Sequence, residues 1–122
     1  MQDSILIIDD EKKINSLLAR IISLEGFRVL QAFTGKEGLK ILKSEDIPVV
    51  LSDVKLPDCS GVELVIEIKK LRPGSEIINL TAFGTIADGV AAMRNGAFDY
   101  ITKGDDNDKI IPLIYKALEK AK

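Results

Sequence analysis

The sequence predicts an α/β domain: a doubly wound, five-stranded parallel sheet with five helices. Three observations predict it. Short apolar runs alternate five times with stretches of helical periodicity, which is the pattern of repeated strand–helix units. The first run, Ser4-Ile5-Leu6-Ile7-Ile8, is continuously apolar rather than alternating, as a strand buried on both faces must be. Chemically capable residues stand directly behind the runs, where open parallel sheets bind ligands.

The first strand stops at Asp9-Asp10-Glu11, and from Ile14 the period changes. Ile14, Leu17, Leu18, Ile21 and Ile22 recur at helical spacing, and Gly26 closes that helix as a left-handed cap. Phe27 to Ala32 reads as the second strand. Thr34 with Glu37 forms a capping-box pair, and Leu39 and Leu42 carry the apolar face of the second helix. Val49-Val50-Leu51 is the third strand, with Ser52 and Asp53 at its carboxyl end. Ser60 with Glu63 is a second capping-box pair. Val62, Val65, Ile68 and Leu71 line a third helix that Pro73-Gly74 ends. Glu76 to Leu80 is the fourth strand.

Thr85 to Asn95 reads as a weaker fourth helix, with Gly89 inside it and Gly96 as its cap. Phe98 to Ile101 is the fifth strand, ending at Thr102-Lys103. The last helix starts in Asp105 to Asp108 and buries Ile110, Ile111, Ile114, Ala117 and Leu118; Pro112 is tolerated because it lies near the first turn. Right-handed crossovers and short connections leave few topologies. The flavodoxin-like strand order 2-1-3-4-5 is the natural one, with its switch point between the strands ending in Asp9-Asp10 and Asp53.

Bulk properties bound the function. The 122 residues suit one domain with one core, and 46% hydrophobic residues can fill it. A formal net charge of −2 argues against a nucleic-acid surface. Cys59 is the one cysteine and has no internal disulfide partner, which fits a reducing compartment. No apolar stretch approaches a membrane span, and Met1 is followed by Gln2-Asp3 rather than a signal peptide. The chain is expected in the cytoplasm. The lack of histidine removes the commonest general base and zinc ligand.

The predicted topology gathers Asp9, Asp10, Asp53, Thr81 and Lys103 on one sheet edge. Three crowded carboxylates repel one another, and a divalent cation resolves that. Mg²⁺ takes oxygen ligands and commonly uses one or two carboxylates plus a phosphate. Asp10 and Asp53 are candidate ligands, with a backbone carbonyl just after Asp53, that of Lys55, and with Asp9 holding a metal-bound water. Lys103 supplies a mobile positive charge and Thr81 a hydroxyl donor for a phosphoryl group. Aspartate is a phosphoryl nucleophile, so Asp53 is read as the acceptor. Each residue alone has a plainer reading: Asp-Asp as a helix cap, Asp53 and Thr81 as turn residues, Lys103 as a solvated lysine.

With those residues in view, the whole chain resembles the receiver domain of two-component response regulators. Asp9-Asp10, Asp53, Leu56-Pro57 with Gly61, Thr81-Ala82 and Lys103 carry the likeness. The resemblance implies that a sensor histidine kinase phosphorylates Asp53 and that Asp9, Asp10 and Asp53 form the Mg²⁺ site. It also implies that Thr81 is the switch hydroxyl, Tyr100 the switch aromatic, and Lys103 the phosphate-binding residue. Thr81 to Ala87 and Asn95 to Tyr100 are similar to a narrower group, enhancer-binding transcription activators whose receiver precedes an AAA+ ATPase and a helix-turn-helix domain.

On that likeness, residues 1–122 are one receiver domain excised from the N-terminus of a longer regulator, with the AAA+ and DNA-binding domains outside this chain. It is expected to bind no nucleic acid and no membrane, and to act on no substrate beyond its own phosphorylation and slow dephosphorylation. Phosphorylation is expected to change the surface of the fourth and fifth helices and to drive homodimerisation. The sequence departs from the family in having Lys103-Gly104 where Lys-Pro is usual, which frees the backbone there. The alternative reading is a degenerate receiver that serves as a phosphorylation-independent interaction domain. A flavin- or phosphate-binding module would want a glycine- or hydroxyl-rich loop after the first strand, where Asp9-Asp10-Glu11 stands instead. A Mg²⁺-dependent phosphohydrolase would share the acidic chemistry, but nothing reads as a substrate-binding cap.

Overall fold

A computed structural model describes residues 3–81, 90–91, 93–103 and 107–121. The elements are β1 (Ser4–Ile8), α1 (Lys12–Leu24), β2 (Arg28–Ala32), α2 (Gly35–Ser44), β3 (Val49–Asp53), α3 (Gly61–Leu71), β4 (Glu76–Thr81) and β5 (Asp99–Thr102). A short 3₁₀ turn at Asn107–Lys109 leads into α4 (Ile110–Ala121). All neighbouring strands pair in parallel, in the order β2-β1-β3-β4-β5. The α/β architecture and strand order are those the sequence predicts.

Four α-helices are delimited among the described residues, against five predicted. The difference falls on the Thr85–Asn95 segment. Its residues 90, 91, 93 and 94 are helical, whereas 85–89, with Gly89, and 92 lie outside the described residues. So do Ala82, Phe83 and Gly84, and Gly104 to Asp106.

Local chemistry sets the boundaries. Thr34 Oγ1 accepts from the Glu37 amide at 3.1 Å, so the predicted cap of α2 forms. Ser60 departs from its predicted pairing: its hydroxyl accepts from the Val62 amide at 3.2 Å rather than from Glu63. Glu63 instead contributes a carboxylate to the positive end of the first turn of α3. Gly26 and Gly96 both have positive φ, +100° and +110°, at helix ends, where a side chain would be strained. Pro112 is the third residue of α4, where a missing N–H costs nothing.

The sheet buries both faces. Ile5, Ile7, Val49, Leu51, Ile78, Leu80 and Ile101 pack against Leu18 and Ile22 of α1 and Ile110, Ile114 and Leu118 of α4. On the other face Leu6, Ile8, Val50 and Ile77 pack against Leu42 of α2 and Leu64, Val65 and Ile68 of α3. Strand side chains alternate faces with period two. Asp9 follows Ile7 by two positions, Asp53 follows Leu51, and Lys103 follows Ile101. The alternation that buries those three apolar residues toward α1 and α4 therefore sends all three charges to one side of the carboxyl edge.

Candidate functional site

Lys103 holds that edge together. Its Nζ donates to Asp53 Oδ2 at 2.7 Å, Asp9 Oδ1 at 3.1 Å and Glu11 Oε1 at 2.6 Å. The Lys103 side chain is 5% exposed, Asp9 is fully buried, and Asp53 is 3% exposed. The lysine is positioned by its own backbone: the Lys103 amide donates to the Thr81 carbonyl at 2.8 Å, extending the β4–β5 ladder by one bond. Burial works against the ammonium, yet its hydrogen bonds with Asp53 and Glu11 outweigh that and raise its pKa.

The aspartates are held as firmly. Asp53 Oδ1 accepts from the Lys55 amide at 3.1 Å. Asp9 Oδ1 accepts from the Glu11 amide at 2.9 Å, and the Asp9 carbonyl accepts from Asn15 Nδ2 at 2.9 Å. The buried Asp9 Oδ2 lies 3.1 Å from Lys103 Nζ but takes no hydrogen bond. Burial pushes the Asp9 carboxyl up from 3.8 to about 6, and the charge on Asp53 adds to the rise, against the opposing pull of the Glu11 amide and Lys103. Asp10 is exposed at the mouth.

One carboxylate oxygen from each of Asp9, Asp10 and Asp53 lies within 4.8 Å of the others, a set that could hold a metal ion. The residues fit Mg²⁺ chemically: all donors are hard oxygens, and one buried donor has no hydrogen bond. Among the described residues, Asp9, Asp53 and Glu11 share the Lys103 ammonium, and Asp10 adds a fourth carboxylate beside them.

Thr81 is 2% exposed, and its hydroxyl donates to the Ile101 carbonyl at 3.2 Å. Tyr100 sits on β5, partly buried, and lines an open depression of about 380 Å³ with Asp99, Asp108, Pro112 and Leu113. The Lys55 backbone pairs antiparallel with Ser60, closing the loop behind Asp53. Gly61 makes that closure possible: a Cβ there would overlap the Asp53 carbonyl oxygen and come within 2.5 Å of Val54 Cα. Cys59 is half-buried beside Gly35, and burial with the Asp58 charge pushes its thiol up.

Sequence reading missed four participants. Glu11 shares Lys103. Asn15 is fully buried and ties the Asp9 and Ala32 carbonyls together, 2.9 and 3.0 Å from its Nδ2. Asn79, also buried, donates to the Ser52 carbonyl at 3.1 Å, one residue before Asp53. Asp58 caps α2 from the loop behind Asp53. The signal for Asn15 was its place within the apolar stripe of Ile14, Leu18 and Ile22, where a polar side chain needs partners.

The response regulator receiver domain profile matches residues 5–115. The chain is 38% identical over 117 residues to the transcriptional regulatory protein GlrR of Escherichia coli K12, covering 96% of this chain and 26% of that protein. It thus spans about a quarter of the length of that curated relative. Among solved structures, a CheY-like receiver domain protein from Methanospirillum hungatei JF-1 superimposes with a TM-score of 0.92 at 33% identity, covering 99% of this chain and 97% of that one. The NtrC4 receiver, solved in solution as a beryllofluoride-activated dimer, gives 0.90 at 32% identity, with 98% of each chain covered.

Proposed function

The chain belongs to the response regulator receiver domain family, and from that premise we propose that Asp53 accepts a phosphoryl group from a sensor histidine kinase in a Mg²⁺-dependent reaction. One observation carries the reading. The buried Asp53 carboxylate is held between the Lys55 amide and the Lys103 ammonium, with oxygens of Asp9 and Asp10 within 4.8 Å. Neither a helix cap nor a surface turn calls for that arrangement.

Asp10, Asp53 and the Lys55 carbonyl would hold the metal, with Asp9 beside it. Mg²⁺, when bound, neutralises the carboxylates and the transferring phosphoryl oxygens. Asp53 attacks the phosphorus of a phosphohistidine. The new O–P bond forms as the P–N bond breaks, and the electron pair leaves with the imidazole nitrogen. Lys103 exchanges Asp9 and Glu11 for phosphoryl oxygen, and Thr81 exchanges the Ile101 carbonyl for the same group. Tyr100 follows into the space that Thr81 leaves.

The acyl phosphate then decays by water attack. Residues two beyond Asp53 and Thr81, here Lys55 and Phe83, flank that water in this family. Phe83 lies outside the described residues. Neither side chain is a carboxylate or amide suited to orient water, so the phosphorylated form lasts minutes or longer. Its output is a changed surface around Thr85–Asn95, β5 and α4 that pairs two copies of the chain. The activated dimer of the NtrC4 receiver supports that part of the reading. In a longer protein of the kind GlrR represents, the switch would control transcription.

The test is intact mass after incubation with acetyl phosphate, with and without Mg²⁺, on this chain and on Asp53→Asn. A Mg²⁺-dependent gain of about 80 Da, one phosphoryl group, absent in the variant, is expected. No gain, together with no Mg²⁺ binding, overturns the proposal and leaves a phosphorylation-independent interaction domain.

A further inference from the structure

Seven residues, from Val54 to Ser60, link β3 to α3, and they begin directly behind Asp53. Their base is pinned twice. The Gly61 amide donates to the Val54 carbonyl at 2.8 Å, and Lys55 pairs with Ser60. The tip is tied elsewhere. Asp58 Oδ1 accepts from the Gly35 amide at 2.9 Å, and Oδ2 from the Lys36 amide at 3.0 Å.

Those amides are the first two of α2, which have no partner within the helix. Thr34 Oγ1 takes the Glu37 amide, and the Thr34 carbonyl takes that of Gly38. The two capping groups are therefore of different kinds. Thr34 caps α2 from its own chain segment, and its hydrogen bonds, to Glu37 and Gly38, stay within that helix. Asp58 caps it from a distance and fastens the loop tip to the helix. Burial opposes the charge on Asp58, but the two amides outweigh it and hold the carboxyl below its ordinary pKa. Gly35 leaves room for the approach: a Cβ there would overlap Cys59 Sγ, the next residue of the loop.

We infer that Asp58 is a positioning residue for the metal site, holding the Lys55 carbonyl toward Asp53 by anchoring the loop tip on the amino end of α2. The inference rests on the proposed Mg²⁺ site. It makes α2 part of that site's support, although α2 contributes no ligand.

The test is calorimetric titration of MgCl₂ into the wild type, Asp58→Ala, Asp58→Asn and Thr34→Ala, with melting temperatures measured alongside. Asp58→Ala and Thr34→Ala each remove capping of the same helix, so both lower the melting temperature. Asp58→Ala is expected to weaken Mg²⁺ binding about tenfold, the lower end of what a second-layer partner of a ligand supplies. Asp58→Asn, which keeps one acceptor oxygen, should recover part of that loss, and Thr34→Ala should bind within about twofold of wild type. Equal Mg²⁺ affinity in Asp58→Ala and wild type overturns the inference. So does an equal loss in Thr34→Ala, because the effect would then follow helix stability. A wild type that takes up no Mg²⁺ overturns the proposed metal site, and this inference with it.

Discussion

Asp9→Asn should make the metal-free protein more stable at neutral pH. Asp9 is fully buried, and its carboxyl is raised from 3.8 to about 6. The folded state therefore holds a proton that the unfolded chain gives up earlier, and stability falls as pH rises from about 4 to about 6. Below that window the group is neutral in both states and costs nothing. Above it the full penalty applies.

The rise corresponds to about 3 kcal/mol at 1.36 kcal/mol per tenfold change in proton affinity. Water at the mouth of the cluster reduces it to about 2 kcal/mol. Asparagine keeps the oxygen that accepts from the Glu11 amide and removes the charge. In EDTA at pH 7.5 the variant should gain about 2 kcal/mol in urea unfolding, or about 8 °C in melting temperature for a domain of this size. The gain should vanish near pH 4 and shrink in millimolar Mg²⁺, which stabilises the wild type more. Unchanged or lower stability of Asp9→Asn at pH 7.5 in EDTA would refute the reasoning.

Lys103→Met strips the Lys103 ammonium from two buried carboxylates. It should cost about 3 kcal/mol in EDTA, and Mg²⁺ should restore much of that; equal losses with and without the metal would count against a shared cation site. Gly61→Ala drives a Cβ into the Asp53 carbonyl and should cost about 3 kcal/mol in urea unfolding, with Mg²⁺ affinity falling alongside. Glu76→Gln should destabilise the protein by about 1 kcal/mol at pH 7.5, opposite in sign to Asp9→Asn, because Lys69 loses the carboxylate 3.2 Å away. A stabilised Glu76→Gln in the same melts would show that buried charge is costly throughout this fold.

The sequence carried the sheet because Ile5 to Ile8 and Val49 to Leu51 are continuous apolar runs that recur in alternation with helical stretches, and in a doubly wound sheet such strands can stack in few orders. It carried Asp9, Asp53 and Lys103 for a related reason. Each lies two residues past a buried strand residue, so period-two alternation fixes the shared side without any three-dimensional information. What it did not carry are contacts between segments distant in sequence. Asp58 follows Pro57 with no spacing signal of its own, and only the packing of α2 beside the β3–α3 loop brings it to the Gly35 and Lys36 amides. Glu11 reads as the end of an acidic run. Its bond to Lys103, 92 residues further along the chain, depends on β1 and β5 ending at the same edge. Ser60 failed as a capping-box residue because a hydroxyl can serve either the second or the third amide of a helix, and sequence spacing does not distinguish them.

The two ends of the sheet treat buried carboxylates in opposite ways, and the contrast supports the proposed site. At the amino end of β4, Glu76 is 3% exposed and has two lysines, Lys69 at 3.2 Å and Lys120 at 3.4 Å. That is charge neutralised for structure, since a buried carboxylate persists only when paired. At the carboxyl edge, among the described residues, Asp9, Asp53 and Glu11 compete for one ammonium, and Asp9 is left with an oxygen that takes no hydrogen bond. The fold can supply a second lysine where it needs one, so the deficit at the carboxyl edge is local rather than general. Local disagreement with the rules that govern the rest of a fold is the mark of a site kept for chemistry. A cation that fills the deficit stabilises the folded state, by an amount that grows with the logarithm of its concentration over its dissociation constant. On the proposed reading, an incoming phosphoryl group would find Lys103 already within 2.7 Å of the Asp53 carboxylate. The same imbalance that lowers stability without metal is, on the proposed reading, what would make Asp53 receptive with it.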